Sequence, residues 1–453
     1  MLLYPLTMSK FVISLNAESK TIYIRIMLPT TEREAIRRMM EREIVPAMGC
    51  TEPIAVSLCV AKTSELLEHR PEKIDVFLSP NVIKNAMGVG IPGTNMNGLP
   101  IAIALGALIG KSELGLEVLR DFNDDDLEAA KKFIDEDRIN IFVKEGIVET
   151  LYIEVISSAN NEYSKAVISG AHTFFSHIEK NGEVLVSKKL ETIESNNNTV
   201  ELSLKKVFDY AHTTPIEELS FIYEAAKINQ EASNMAQDGD YGHSVSQVLA
   251  GKNGLSVFGN NPHSKMLIAT AGACDVRMDG AKVAVMSNSG SGNQGIAATL
   301  PVLSYAEEID SDKQTLVRAL VLSNLTVIYI KQHLGRLSAL CGCVVASTGS
   351  SCGITYLMGG MYEQITYATK NMIANITGMI CDGAKPSCSL KISSGVSTAL
   401  LSALMAIENK VISGQEGIVD EDVDQTIRNM SEIGKIGMIE TDKLVLNIMT
   451  NKK

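Results

Sequence analysis

The sequence predicts an α+β protein, with an N-terminal mixed α/β domain at residues 28–198 and an all-helical C-terminal domain at residues 199–453. Three observations carry this. The chain has 453 residues, more than a single hydrophobic core normally organises, so two domains are expected. Strand-like alternation is confined to the first half. Beyond a polar joint, "ESNNNT" at 194–199, the chain consists of Ala-, Leu-, Ile- and Met-rich segments at helical spacing, separated by Gly/Ser/Asn loops.

Taken in order, residues 1–27 precede the first periodic segment and read as a poorly ordered lead-in. "TTEREAIRRMMEREIVPAM" (30–48) is an amphipathic helix with Thr31 as N-cap and Glu32 and Glu34 in its first turn, where the helix dipole favours carboxylates. After "GCTEP" a second helix runs "IAVSLCVAKTSELL", with Pro53 at its start, where a missing amide costs nothing. "KIDVFLS" reads as a strand, "NVIKNAMGVGIPGTNMNG" as a Gly/Asn/Pro loop, and "LPIAIALGALIG" as an apolar helix. The acidic run "DFNDDDLEAAKKFIDED" places carboxylates at a helix N-terminus and on a solvated face rather than around a metal. "INIFVKE", "TLYIEVISS", "YSKAVISG" and "FSHIEKNGEVLVS" alternate as strands, the last folded into a hairpin at Asn181-Gly182. The C-terminal helix is "TDKLVLNIM".

Composition narrows the function classes. A formal net charge of -12 argues against a nucleic-acid partner, which requires a basic face. Eight cysteines are too few for a disulfide-stapled secreted scaffold. Five of them, Cys341, Cys343, Cys352, Cys381 and Cys388, fall in the last quarter; in a reducing compartment such clustering points to metal or catalysis. No stretch reaches the roughly 18 uninterrupted apolar residues of a membrane span. "LVRALVLSNLTVIYI" comes nearest, interrupted by Arg318, Ser323 and Asn324. The N-terminal segment lacks the basic region and cleavage site of a signal peptide. The expectation is a cytoplasmic protein without a membrane association, whose apolar helical domain suits a homo-oligomer.

Four loops carry the candidate chemistry. "GCTEP" (49–53) sets Cys50 before a helix N-terminus, where free backbone amides and the dipole favour a thiolate, with Thr51 and Glu52 beside it as substrate-binding candidates. Cys59, on the apolar face of the same helix, reads as a small buried hydrophobe. "SPNVIKNAMGVGIPGT" (79–94) offers Asn81, Lys84 and Asn85 among residues that admit close backbone approach. In "SNSGSGNQG" (287–295), Ser289, Gly290, Ser291, Gly292, Asn293 and Gln294 form a dense set of donors suited to a carboxylate or phosphate. Finally, Cys341 lies in "RLSALCGC", and Cys381 and Cys388 lie in "GMICDGAKPSC". The paired Cys-x-x-Cys of a zinc ribbon is absent. Three cysteines from two helix-end regions suit a cubane held at three irons with the fourth open as a Lewis acid, although such irregular spacing fits many sites. His172, His177 and His243 read as surface or satisfied core residues. "DGDYG" lacks the later ligand positions of a calcium loop.

Taken together, "MGCTEPIA", "SPNVIKNAMGVGIPGT", "MSNSGSGNQGI", "RLSALC" and "GMICDGAKPSC" resemble the L-cysteine desulfidase family, relatives of the oxygen-sensitive iron–sulfur L-serine dehydratases. The resemblance runs from about Thr30 to the C-terminus, with the motifs in the same order. It implies a [4Fe–4S] cluster and β-elimination of sulfide from L-cysteine, giving ammonia and pyruvate. Matched motif by motif, it implies Cys341, Cys381 and Cys388 as cluster ligands and Cys50 in acid/base work. "SNSGSGNQG" and Lys84 would clamp the substrate carboxylate. Spacing does not separate Cys343 from Cys341 as a ligand. Three alternatives remain open at this point: an iron–sulfur L-serine dehydratase with the same site, a pyridoxal-phosphate dehydratase using Lys265, and a non-catalytic cluster protein that senses redox state or iron.

Overall fold

The computed structural model describes residues 11–13, 24–67, 69–147, 149–188, 200–335 and 337–451. The joint at 194–199 and most of the 1–27 lead-in lie outside the described residues. Within that lead-in, β1 (Phe11–Ile13) and β2 (Ile24–Ile26) pair antiparallel. Helix α1 (Thr30–Glu43) begins after Pro29 without a side-chain cap, so Thr31 is a helical residue and not the N-cap. The helix also stops earlier than its periodicity suggests. Pro46 supplies no amide and disfavours helix at the residue before it, and Pro46–Met48 instead forms strand β3.

The rest of the N-terminal half comprises α2 (Thr51–Leu66), β4 (Lys73–Leu78), α3 (Pro80–Ala86), β5 (Gly90–Ile91), β6 (Met96–Asn97), α4 (Leu99–Ile109) and α5 (Asp124–Asp135). Strands β7 (Ile139–Val143), β8 (Tyr152–Ala159), β9 (Glu162–Ser169), β10 (Phe175–Lys180) and β11 (Glu183–Ser187) follow. The expected loop after β4 is in its first part α3, because Pro80 at the first helical position already has helical φ. The acidic run forms α5 behind an Asn123–Asp126 capping box. The main sheet has the order β11-β10-β9-β8-β4-β7. Its pairs are antiparallel except β4–β7, which is parallel and connected through α3, α4 and α5. Asn181 and Gly182 both have positive φ, 50° and 88°, as the tight β10–β11 turn requires.

The second half is helical: α6 (Leu204–Thr213), α7 (Ile216–Leu219), α8 (Ile222–Asp238), α9 (Val245–Ala250), α10 (Lys252–Phe258) and α11 (Pro262–Met278). After these come α12 (Gly292–Glu308), α13 (Lys313–Leu334), α14 (Gly342–Leu357), α15 (Tyr362–Ile376), α16 (Cys388–Ile407), α17 (Val423–Glu432) and α18 (Ile439–Thr450). The exception is β12 (Ala284–Met286), which pairs antiparallel with β3. The α+β class with a helical C-terminal region is the one expected from the sequence.

One core lies between the main sheet and α2 and α4; the other surrounds α13. Each draws on both sides of residue 198. Ile36, Met39 and Met40 of α1 bury in the helical core, whereas Leu446 of α18 buries in the sheet core. Cys59 is fully buried between α2 and the sheet, its thiol within reach of Ile153 and Ala166 carbonyls. Several polar residues inside the helical core satisfy their hydroxyls on backbone carbonyls. Thr326, Thr348 and Thr355 donate to carbonyls one turn back, and Ser323 donates across to Ala298 O. Among the described residues, α16 alone is long and apolar enough to cross a membrane by composition, and in the fold it packs against α11, α14 and α15.

Candidate active site

Two short backbone pairings assemble the site. The β3–β12 pair aligns Met48 with Ala284 and Pro46 with Met286, which brings "GCTEP" beside "SNSGSGNQG". Thr51 Oγ1 then donates to Gly290 O at 3.2 Å, and the Ser289 amide donates to Glu43 O at 2.9 Å. A second, isolated antiparallel bridge joins Leu340 to Ile380. Its bonds are Cys341 N to Met379 O at 2.9 Å and Cys381 N to Ala339 O at 2.7 Å. Two cysteine segments 40 residues apart are thereby held side by side, one at the N-cap of α14. Cys388 opens α16 a few residues further on.

These segments wall a cavity of about 110 Å³, room for several waters or one small ligand. Its lining includes Cys50, Thr51, Glu52, Asn85, Ser289, Gly290, Ser291, Asn293, Gln294, Cys341, Cys381 and Cys388 from the expected set. Asn81, Lys84 and Gly292 do not line it. Lys84 is buried in α3 and ion-pairs with Asp442 of α18, so its ammonium is already engaged. Gly292 is the first residue of α12 and packs against Arg277, where a Cβ would lie 2.3 Å from Nε. Lys265 pairs with Glu308 at 2.7 Å away from the cavity.

Cys50 is the N-cap of α2, as the sequence suggested, but its thiol is not ionised by the helix. Burial raises it well above the ordinary thiol range and the Glu52 charge adds to this, outweighing Arg277. Cys50 Sγ donates to Glu52 Oε2 at 2.9 Å. Glu52 also accepts from Thr51 Oγ1 at 3.1 Å and from Asn85 Nδ2 at 3.2 Å. Burial alone would raise this carboxyl, but His172 and the donated hydrogen bonds hold it below its usual range. The result is a protonated thiol beside an ionised carboxylate.

At the other wall, Cys341, Cys343, Cys381 and Cys388 all face the cavity. The neighbouring Cys343 thiol lowers Cys341 despite its burial, and Cys341 together with burial raises Cys343. Burial raises Cys381 and pushes Cys388 up to about 11. Among the described residues, no three His, Cys, Asp or Glu side chains converge as they would on a single metal ion. A cubane binds each thiolate at a separate corner, so its ligands need not meet at a point. A cavity lined by free thiols from three helix-end segments has the donor chemistry of an iron–sulfur site.

The sequence reading took His172 for a surface or satisfied core residue and did not weigh Arg277, Lys331 or Ser338, yet all four line the cavity. His172 arrives on the loop after β9, carried from the main sheet to the Glu52 carboxylate. Arg277 arrives from the last turn of α11, with Lys331 and Ser338 nearby in the lining. The available signal for Arg277 was a lone arginine ending an otherwise apolar segment; for His172 there was none.

Comparison with known proteins places the chain in a family. Residues 113–447 match the family model described as "Serine dehydratase alpha chain". Over 423 residues, 93% of this chain and 99% of the relative, the sequence is 58% identical to a UPF0597 protein of Bacteroides fragilis. A UPF0597 protein of Phocaeicola vulgatus is 58% identical over 429 residues, 94% of this chain and 100% of that protein. One from Shewanella pealeana is 42% identical over 422 residues, 91% of this chain and 97% of that protein. With the family model covering most of its length, the chain belongs to the serine dehydratase alpha chain family.

Proposed function

We propose that this protein is an L-cysteine desulfidase, converting L-cysteine and water to sulfide, ammonia and pyruvate through β-elimination; elimination of water from L-serine is the alternative at the same site. The observation that carries the reading is one cavity walled on one side by thiols and on the other by a Cys50–Glu52 pair of opposed protonation. Iron–sulfur dependence is general in the serine dehydratase alpha chain family. Cys341, Cys381 and Cys388 would hold a [4Fe–4S] cluster, with Cys343 beside Cys341 tuning its thiol. When bound, the cluster supplies a Lewis acid that stabilises negative charge on the substrate.

The chain's own groups divide the proton work. Two groups whose environments push their proton affinities apart mark an acid and a base. Glu52, ionised and held by Thr51 and Asn85, takes the Cα proton. Cys50, kept protonated, delivers a proton to the departing sulfide. This reverses the role expected of Cys50 from its position at a helix N-terminus. Ser289–Gln294 at the start of α12 present backbone and side-chain donors to the substrate carboxylate. The buried setting strengthens each of these interactions. Released aminoacrylate hydrolyses to pyruvate and ammonia.

The test is sulfide and pyruvate release from L-cysteine, with L-serine alongside, on anaerobically purified protein before and after brief air exposure. Equal amounts of both products from cysteine, lost on exposure to air, are expected. Pyruvate from serine alone moves the assignment to a serine dehydratase. Turnover of neither, with iron and absorbance intact, refutes the lyase reading.

A further inference from the structure

Two lysines converge on one carboxylate oxygen beside the thiol wall. Lys385, within the loop between Cys381 and Cys388, has its Nζ 2.6 Å from Asp382 Oδ1 and donates to Asp382 O at 2.8 Å and Gly383 O at 3.2 Å. Lys391 lies on α16, three residues after Cys388. Its Nζ reaches back to the same Asp382 Oδ1 and donates to Ile380 O at 2.7 Å. The carbonyls of Ile380 and Asp382, one on either side of Cys381, are thereby both engaged. At the far end of the loop the Cys388 amide donates to Lys385 O at 2.9 Å. The turn between depends on Gly383: its φ is 91°, and a Cβ there would lie 2.0 Å from Lys84 O. The ammonium groups thus tie Cys381 to the start of the helix that Cys388 opens.

The charges within this frame do not balance. Two ammonium groups share one carboxylate, and among the described residues neither lysine pairs with another. Lys385, Lys391 and Asp382 are 27%, 25% and 41% exposed, so water screens the surplus only in part. The field of Lys391 reaches Cys341 and Cys381, and that of Lys385 reaches Cys388. Three thiolates add more negative charge than a [4Fe–4S] core neutralises, so the loaded wall is anionic and matches the surplus. We propose that Lys385, Lys391 and Asp382 form a clip that sets the Cys381–Cys388 loop for the cluster and retains it by positive charge. Lys391 is the member that locks α16 to the loop. All three are positioning residues, since none lines the cavity. The proposal rests on the iron–sulfur reading of the thiol wall.

The experiment reconstitutes wild type, K391M, K391R and D382N anaerobically with ferrous iron and sulfide. It reads iron per chain, the rate of iron loss to bathophenanthroline, and the midpoint reduction potential of the cluster. K391M and D382N should both release iron about tenfold faster than wild type, because each breaks charged hydrogen bonds of the clip. Their potentials should move in opposite directions: K391M removes a positive charge and lowers the potential, whereas D382N removes a negative one and raises it. K391R should restore both readings. A clip that only shapes the loop would change release without this opposition of sign. Where K391M fails to fold, K385M, at a loop position, is expected to follow the same directions. Release from K391M or K385M within threefold of wild type, with a full cluster bound, overturns the clip and leaves the iron–sulfur reading standing. Potentials that shift the same way in the lysine and Asp382 variants, or not at all, overturn the charge role. A folded wild type that takes up no iron refutes the iron–sulfur reading and the clip with it.

Discussion

Replacing Asp442 with alanine should loosen the C-terminal helix from the N-terminal half. Lys84 on α3 is 1% exposed, and Asp442 on α18, 18% exposed, neutralises it. Removing one member of a buried ion pair typically costs about 3–5 kcal/mol, because the other charge stays buried without a partner. Asp442 retains some contact with water, so the lower end, ~3 kcal/mol, applies. Little else holds the helix: Leu446 is its one fully packed side chain, and its opening would return Lys84 to solvent. A loss of ~3 kcal/mol corresponds to a change of roughly 100-fold in the opening equilibrium. Native-state hydrogen exchange reads this directly, since α18 can open without the rest. In D442A the amides of α18 should lose about 100-fold of protection while those of α13 keep theirs. The double variant K84M/D442L should recover most of it, because a packed apolar pair replaces a buried ion pair at little cost. Protection in D442A within about threefold of wild type would refute the reasoning. Turnover in the double variant settles a second point: its loss with iron intact would return Lys84 to the reaction.

The other expectations concern the site and the sheet. E52Q keeps the shape of the side chain but removes the proton acceptor, so turnover should fall by about 10²–10⁴ at unchanged iron content; activity within tenfold of wild type would exclude Glu52 as the base. C341S, C381S and C388S should each lower iron per chain and visible absorbance, whereas C343S should retain both. The opposite pattern between C341S and C343S would exchange their roles. At the sheet, burial raises the Glu154 carboxyl, but Lys144 and Tyr152 hydrogen bonds and Lys165 outweigh it, and the folded-state value lies below the usual one. Its stabilisation is therefore present above the unfolded carboxylate range, about pH 4, and is lost as pH falls through the lower folded value. Acid unfolding of E154Q followed by far-UV dichroism should lack that component; superimposable wild-type and E154Q curves would rule it out.

Some of the site was legible because it is local. The donors of "SNSGSGNQG" sit on consecutive residues, and all but Gly292 of Ser289–Gln294 reach the cavity. The thiols of "GMICDGAKPSC" share one turn. Other residues were misread for the same reason. Lys84 lies in a segment resembling a clamp, yet its partner Asp442 is 358 residues away. Arg277 reaches Gly49 O across 228 residues, and nothing near it in the chain marks it as part of a site. Cys50 was placed correctly at a helix N-terminus, but the dipole of one helix is weaker than complete burial beside a carboxylate.

The sequence by itself determined what depends on a few neighbouring residues. It set the class of each half, the capping box of α5, the Asn181-Gly182 turn and the supply of thiols and hydroxyls at loop positions. These follow from backbone sterics, side-chain periodicity and short-range hydrogen bonds. Only the tertiary structure decided which thiols share a wall, how deeply Cys50 is buried, and which residues of distant segments join them. The two short pairings, β3 with β12 and Leu340 with Ile380, made those decisions. Burial and Coulomb interaction depend on distance in space, and chain separation carries no information about either.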